Sequence, residues 1–380
     1  MNILSSIAGF VLLAVVLWDT FETIVLPRSV TRKFRLTRMF YLVLWRVWSA
    51  VARAVRGERR RDALLSVFGP LSLILLLGFW AVCLMLGFAL VQWGLQTPLA
   101  GADVHPGFGT YVYMSGTTLF TLGYGDVTAR DSTGRSLSVL EGGVGIGYLA
   151  MVIGYLPVIY QAFSRREVGI SLLDARAGSP PTAGELLLRH ARAGRMEEIA
   201  DLLKEWERWS ADILESHLSY PVLTYYRSQH DRESWLAALT AIIDASALLR
   251  FCGADDAPWR QTAQWQAQLT FAMARHTLID LALILNTPPQ TDCPDRLDED
   301  TWKQMADALT AAGIPLEPDS RKRLAAARRQ YEPYVIALAD RLILALPPWY
   351  AEQSAADNWE TSAWENEHHF SQGSGAGGQG

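Results

Sequence analysis

Between Ala63 and Ala102 there is no charged residue, and between Leu64 and Ala129 there is no Lys or Arg. A water-facing domain surface does not leave such a run unbroken, whereas a bilayer core about 30 Å thick demands about 20 apolar helical residues. A purely soluble protein is thereby excluded. Three segments are long and apolar enough to span: roughly 2–26, 67–93 and 136–163. The first is interrupted by Asp19 and Glu22, and the third carries only Glu141. The run Ile3–Trp18 has neither a basic flank before it nor a small-residue cleavage site after it, so it reads as a retained anchor.

Charge divides the chain. Residues 1–166 hold 15 Lys+Arg against 8 Asp+Glu, and residues 167–380 hold 19 against 31, so a total of −5 conceals halves of +7 and −12. Within the first half, residues 28–61 carry eleven Lys/Arg and one acid, Glu58. The positive-inside rule puts that stretch in the cytoplasm, the amino terminus outside and everything after residue 167 inside. Residues 36–56 read as an amphipathic helix, with Arg38, Arg46, Arg53 and Arg56 on one stripe. Lying in the interface frees these guanidinium groups to reach water or anionic lipid, so an interfacial helix is expected rather than a fourth span. Arg53, Arg56 and Arg59 have the spacing of a voltage sensor but lack the spans that would build one; they read as a topology anchor.

Between the second and third spans, residues 107–120 suffice for a short helix. They are followed by Thr121-Leu122-Gly123-Tyr124-Gly125-Asp126. This hexapeptide, in this position, resembles the potassium-channel selectivity filter. Rings of backbone carbonyls can replace the water shell of a potassium ion, and aiming successive carbonyls at one axis requires alternate residues at positive φ, which Gly123 and Gly125 accept at little steric cost. The resemblance implies a homotetramer, K⁺ bound at Thr121, Leu122, Gly123 and Tyr124, and Asp126 at the outer mouth. It places Leu122 and the Tyr124 ring behind the filter. The preceding helix would aim its carbonyl end at the cavity below.

The resemblance covers about residues 67–163. Gly134-Arg135 opens the inner helix as in two-span bacterial channels, and Gly145 falls at the family's gating hinge, with Ile146, Leu149 and Ile153 on the cavity wall. Gly154 and Pro157 are further gating candidates, since proline kinks a helix; close packing is the alternative use of the glycines in this helix. Where relatives carry a Trp-Trp pair and a Glu behind the filter, this chain has Tyr113, Met114 and Thr117, so Tyr113 and Thr117 are candidates for filter support by other means. Glu141 is an intramembrane charge, and so a functional candidate by default. It reads either as a substitute buttress behind the filter or as a carboxylate shallow enough to reach outer water.

Beyond Gly178-Ser179-Pro180-Pro181 the pattern predicts helices at 183–193, 195–218, 231–252, 259–286, 299–312 and 319–345. Thr182 with Glu185 suits a capping box. There is no phosphate-cradling Gly loop after a strand, which argues against a Rossmann-type sensing domain. The stretch His217–Arg227 reads as a helix break with satisfied polar tips, or else as a ligand pocket or proton-sensitive contact. Asp244 and Asp280 are expected to be buried with partners.

The expectation is therefore an all-α membrane protein. Its parts are a transmembrane helix (1–27), a basic interfacial helix (28–62), a pore module (63–166; outer helix 67–93, pore helix 107–120, filter 121–126, inner helix 136–163), a linker (167–181), a helical cytoplasmic domain (182–346) and a flexible tail (347–380). Its expected role is passive, selective K⁺ conduction across a bacterial plasma membrane, without catalysis, without a cofactor beyond the permeant ion and without nucleic acid. Anionic lipid is the expected partner of residues 28–61, and the cytoplasmic domain is left with an unnamed ligand. The alternatives are a nonselective cation channel and a non-conducting receptor or scaffold.

Overall fold

A computed structural model describes residues 3–26, 35–101, 106–228, 233–252, 258–292 and 294–350. The chain forms two compact units, Met1–Gln161 and Ala162–Gly380. Three helical segments are long and apolar enough to cross a membrane: Ile3–Val25, Glu58–Leu95 and Ser132–Ala177.

In the first unit, α1 (Ile3–Thr20) runs into a π-helical turn at Phe21–Val25, and α2 (Leu36–Ala54) precedes α3 (Glu58–Leu95). At 1.5 Å per residue α3 is about 57 Å long, well beyond a bilayer core. Helix α1 packs on α3 where both lack side chains: a Cβ on Gly9 would stand 2.7 Å from the Gly87 carbonyl oxygen. Small residues at such crossings bring membrane helices into close contact. The two acids that interrupt the first apolar run are both satisfied. Asp19 accepts from Thr37 Oγ1 at 2.6 Å, Thr37 N at 3.1 Å and Trp80 Nε1 at 3.0 Å, so its carboxylate ties α1, α2 and α3 together. Glu22 accepts from Trp18 Nε1 at 2.7 Å and pairs with Arg35 at 3.5 Å.

Helix α2 sorts its circumference three ways. Trp45 meets Phe68 of α3 edge-on, Trp48 packs on the same ring at a tilt and Phe40 on Phe79, Arg46 and Arg53 are exposed on a flank, and Met39, Val43, Val47 and Val51 form an exposed apolar row.

Helix α4 (Phe108–Leu119) packs on α3. Two short strands absent from the all-helical expectation, β1 (Leu99–Ala100) and β2 (Thr128–Ala129), pair antiparallel and draw together the two ends of the segment carrying α4 and residues 121–126. Helix α5 (Ser132–Ala177) then runs unbroken through Pro157. Residues 164–177, most of them expected as a linker, thus continue the helix, and the true connection is 178–182. The outer helix likewise begins at Glu58, not near residue 67, because nothing in Glu58–Ser66 breaks a helix.

The second unit is all-helical among the described residues. At its centre α8 (Trp235–Phe251) is buried along all but its last two residues, as suits a helix apolar on nearly every side. Around it stand α6 (Ala183–Arg192), α7 (Ile199–Ser219), α9 (Pro258–Ile284), α10 (Glu299–Ala311), α11 (Ser320–Arg328) and α12 (Glu332–Leu342). Thr182 caps α6 by accepting from Glu185 N at 3.1 Å. Helices α7 and α9 lie parallel, held by two threonines seven residues apart: Thr270 donates to the Leu203 carbonyl at 2.9 Å and Thr277 to that of Ser210 at 3.0 Å.

Three expectations change here. The helix placed at 319–345 is two, α11 and α12, because Pro333 lacks the N–H needed to continue a helix from before it and stands in the first turn of α12. The tail expected from residue 347 is packed at its start. Trp349 is fully buried, with the guanidinium groups of Arg296 and Arg328 at 5.7 and 5.4 Å from its ring, and its carbonyl accepts from Gly184 N at 2.9 Å. The rest of the tail, 351–380, lies outside the described residues. Asp280 is half-exposed and pairs with His276 at 3.7 Å, whereas Asp244 is buried as expected.

Candidate ion pathway

The segment after α4 folds back on that helix. Thr117 supplies its carbonyl to Leu122 N at 2.8 Å and Gly123 N at 3.2 Å, and Thr118 accepts from Thr121 N at 3.1 Å. Positive φ then alternates along the chain: 58° at Thr121, 57° at Gly123 and 76° at Gly125. The two glycines were legible as such positions. Thr121 was not, because a β-branched residue at positive φ is an outlier that only surrounding structure sustains.

All six residues 121–126 are exposed in the single chain, including Leu122 at 55% and Tyr124 at 68%. Neither side chain is covered by its own chain. On α5, Ile146, Leu149 and Ile153 form one exposed row.

The support residues divide. Tyr113 donates from its phenol to Asp126 Oδ2 at 2.7 Å. The Thr117 hydroxyl turns to its own helix, donating to the Met114 carbonyl at 2.9 Å, so Thr117 acts on the loop through its backbone. Glu141 is fully buried, which removes the reading in which it reaches outer water, and its Oε1 bonds Ser115 of α4. Ser115, on the buried side of α4, and Tyr148, which donates to the Leu77 carbonyl at 2.6 Å, carry no local sequence signal for these contacts.

Gly145 is buried against the end of α4, where a Cβ would run into the Leu119 carbonyl. Gly154 is exposed with no atom near its Cβ position, and Pro157 is exposed within continuous helix.

In the second unit the segment around His217 forms no open pocket; it closes on Arg166. The Arg166 guanidinium is buried and donates to the carbonyls of Leu223 and Tyr226, both at 2.9 Å, and to Glu167 at 3.0 Å. His217 Nδ1 donates to the Ile213 carbonyl at 2.9 Å, which leaves Nε2 as the acceptor facing Arg166 Nη1 at 3.4 Å. Burial, and then the neighbouring Arg166 charge, hold the His217 imidazole well below its usual titration range.

Residues 73–161 match the model of a family described as "Ion channel". Over those residues this chain is similar to ion channels. The match takes in α4, the loop 121–126 and most of the apolar part of α5. A Bacillus subtilis (strain 168) protein described as the uncharacterized membrane protein YdjJ is 24% identical over 227 residues, or 57% of this chain and 61% of that one. The chain thus spans about three fifths of that relative's length. No solved structure matches. The membrane relative agrees with the three apolar helices in making this a membrane protein, and one segment of it is similar to ion channels.

Proposed function

We propose that four copies of this chain assemble a potassium-selective pore, with residues 121–126 as the filter. The carrying observation is the alternation of positive φ at Thr121, Gly123 and Gly125. Successive carbonyls of an extended strand point to opposite sides; alternating the sign of φ turns them to one side, which is the arrangement needed to replace an ion's water shell. Non-helical backbone at membrane depth is tolerated where it lines a watery path. Helix α4 ends just before the loop, so its carbonyl end favours a cation there.

Assembly accounts for the exposure of Leu122 and Tyr124 and of the Ile146–Leu149–Ile153 row: neighbouring copies would cover the first pair, and the row would face the central cavity. The basic stretch 28–61 orients the chain with its amino terminus outside and its second unit in the cytoplasm, and it attracts anionic lipid in the inner leaflet of a bacterial plasma membrane. The second unit serves as a gating domain. Its removal, by truncation at residue 180, changes open probability while leaving ion preference intact; a truncated channel that gates normally would assign the domain another task.

The deciding experiment is flux from liposomes containing the purified full chain. K⁺ passes well over Na⁺, and Gly123→Ala, which puts a Cβ at positive φ, abolishes the flux. Equal passage of the two ions would leave a nonselective cation channel. No passage under any pH, voltage or ligand, with a co-purifying protein, would leave a receptor or scaffold.

A further inference from the structure

Ser115 Oγ is 2.7 Å from the Met85 carbonyl oxygen and also within bonding reach of Glu141 Oε1. A serine hydroxyl has one proton to give, and a carbonyl can only accept. Were Glu141 ionised, two buried acceptors would compete for that one proton. If the carboxylate took it, Ser115 Oγ would face the Met85 carbonyl oxygen at 2.7 Å with no proton between them; if Met85 took it, the buried carboxylate would have no donor, and Glu141 Oε2 already has no hydrogen-bond partner among the described residues. Were the carboxyl to keep its proton, the valences close: Glu141 donates to Ser115 Oγ, and Ser115 donates to Met85 O. Buried polar groups left unmatched are costly, and an unpaired buried charge more so.

We propose that Glu141 stands as the neutral acid and drives a relay from α5 through α4 to α3. In that role it is a positioning residue that fixes α4 behind the filter and binds no ion. The inference rests on reading α4 and residues 121–126 as the pore helix and filter. Its geometry is local to one chain, since Glu141 is fully buried without any neighbouring copy. Gly145, one turn further along α5, seats the same helix against the Leu119 carbonyl, so α5 holds α4 at two levels.

The test uses full-length protein in lipid bilayers and reads the proton directly. Infrared difference spectra of the wild type against Glu141→Gln show the carbonyl stretch of a protonated carboxylic acid, and Ser115→Ala shifts that band. In K⁺ flux, Glu141→Gln stays within about twofold of the wild type, because its amide N–H can donate where the acid did. Glu141→Leu, which leaves Ser115 without its donor, falls by about tenfold or more, within the range for a lost buried hydrogen bond. Absence of the acid band overturns the proposal, and so does a Glu141→Leu channel that conducts like the wild type. A wild type that carries no ion refutes the pore reading instead, while the infrared band still reports the proton.

Discussion

The phenol of Tyr113 donates to Oδ2 of Asp126 across 2.7 Å, linking the exposed side of α4 to the residue that closes the loop 121–126. The other carboxylate oxygen, Oδ1, accepts from Val127 N at 3.0 Å. Tyr113→Phe removes the donor and little else. If residues 121–126 form the proposed filter, the balance between its conducting and collapsed forms shifts toward collapse. Single-channel recording at steady state shows this as a shortened conducting time. Unchanged dwell times would mean that the bond is incidental.

Gly145 and Gly154 make a matched pair. Gly145→Ala drives a Cβ into the Leu119 carbonyl and displaces α4 or α5, at a cost of about 1–3 kcal/mol for overpacking. Gly154→Ala meets nothing and gains about 1 kcal/mol of helix propensity. Thermal unfolding of the purified protein in detergent therefore comes at lower temperature for the first and not for the second. Gating recordings separate the remaining role: a hinge at Gly154 stiffens with alanine and lowers open probability without loss of assembly.

His217 gives the second unit a pH dependence with a defined sign. Its folded-state pKa lies well below the unfolded value of about 6.5, so between the two the unfolded chain binds a proton that the folded chain refuses. Stability is whole above about pH 6.5 and declines below it, by about 1.4 kcal/mol per pH unit, until the lowered folded value is reached. His217→Asn keeps a donor toward Ile213 but does not titrate. Chemical denaturation of the full chain in detergent between pH 7.5 and 5.5 should show a steeper loss for the wild type than for the variant; parallel curves would assign the acid sensitivity elsewhere.

The ionic core beneath α8 offers a test of paired against unpaired charge. Arg296 bridges Asp244 at 3.0 Å and Glu332 at 2.8 Å, and Tyr331 donates to Asp244 at 2.6 Å. Burial pushes the Asp244 carboxyl up, against the pull of Arg296 and Tyr331. Burial also works against the Arg296 charge, but Asp244 and Glu332 outweigh it and hold the guanidinium above its ordinary value. Arg296→Met strands a buried carboxylate and costs about 3–5 kcal/mol. Adding Asp244→Leu removes the stranded charge and recovers most of that loss. Additive losses in the double variant, measured by the same denaturation, would show that the pair is not coupled.

How far the sequence could be read depended on whether each signal was local. The uncharged run from Ala63, the basic stretch 28–61 and the hexapeptide 121–126 each carry their meaning within a few tens of residues. Lipid length and backbone sterics act at that range, so the spans and the glycine positions of the loop were open to inference. The boundaries went wrong where nothing local marks a stop: α3 and α5 run on through sequence that is helix-competent but no longer apolar.

What the sequence determined by itself is that this chain enters a membrane and carries a loop whose glycines suit a file of carbonyls. Only the tertiary structure decided what Asp19, Glu141, Arg166 and Arg296 are for. Each is a charge-bearing residue whose cost depends on partners remote in sequence: Trp80 for Asp19, Ser115 for Glu141, Leu223 for Arg166, Asp244 for Arg296. A buried polar group is stabilised or penalised by the atoms within about 3 Å of it, and that neighbourhood exists only once the helices have packed.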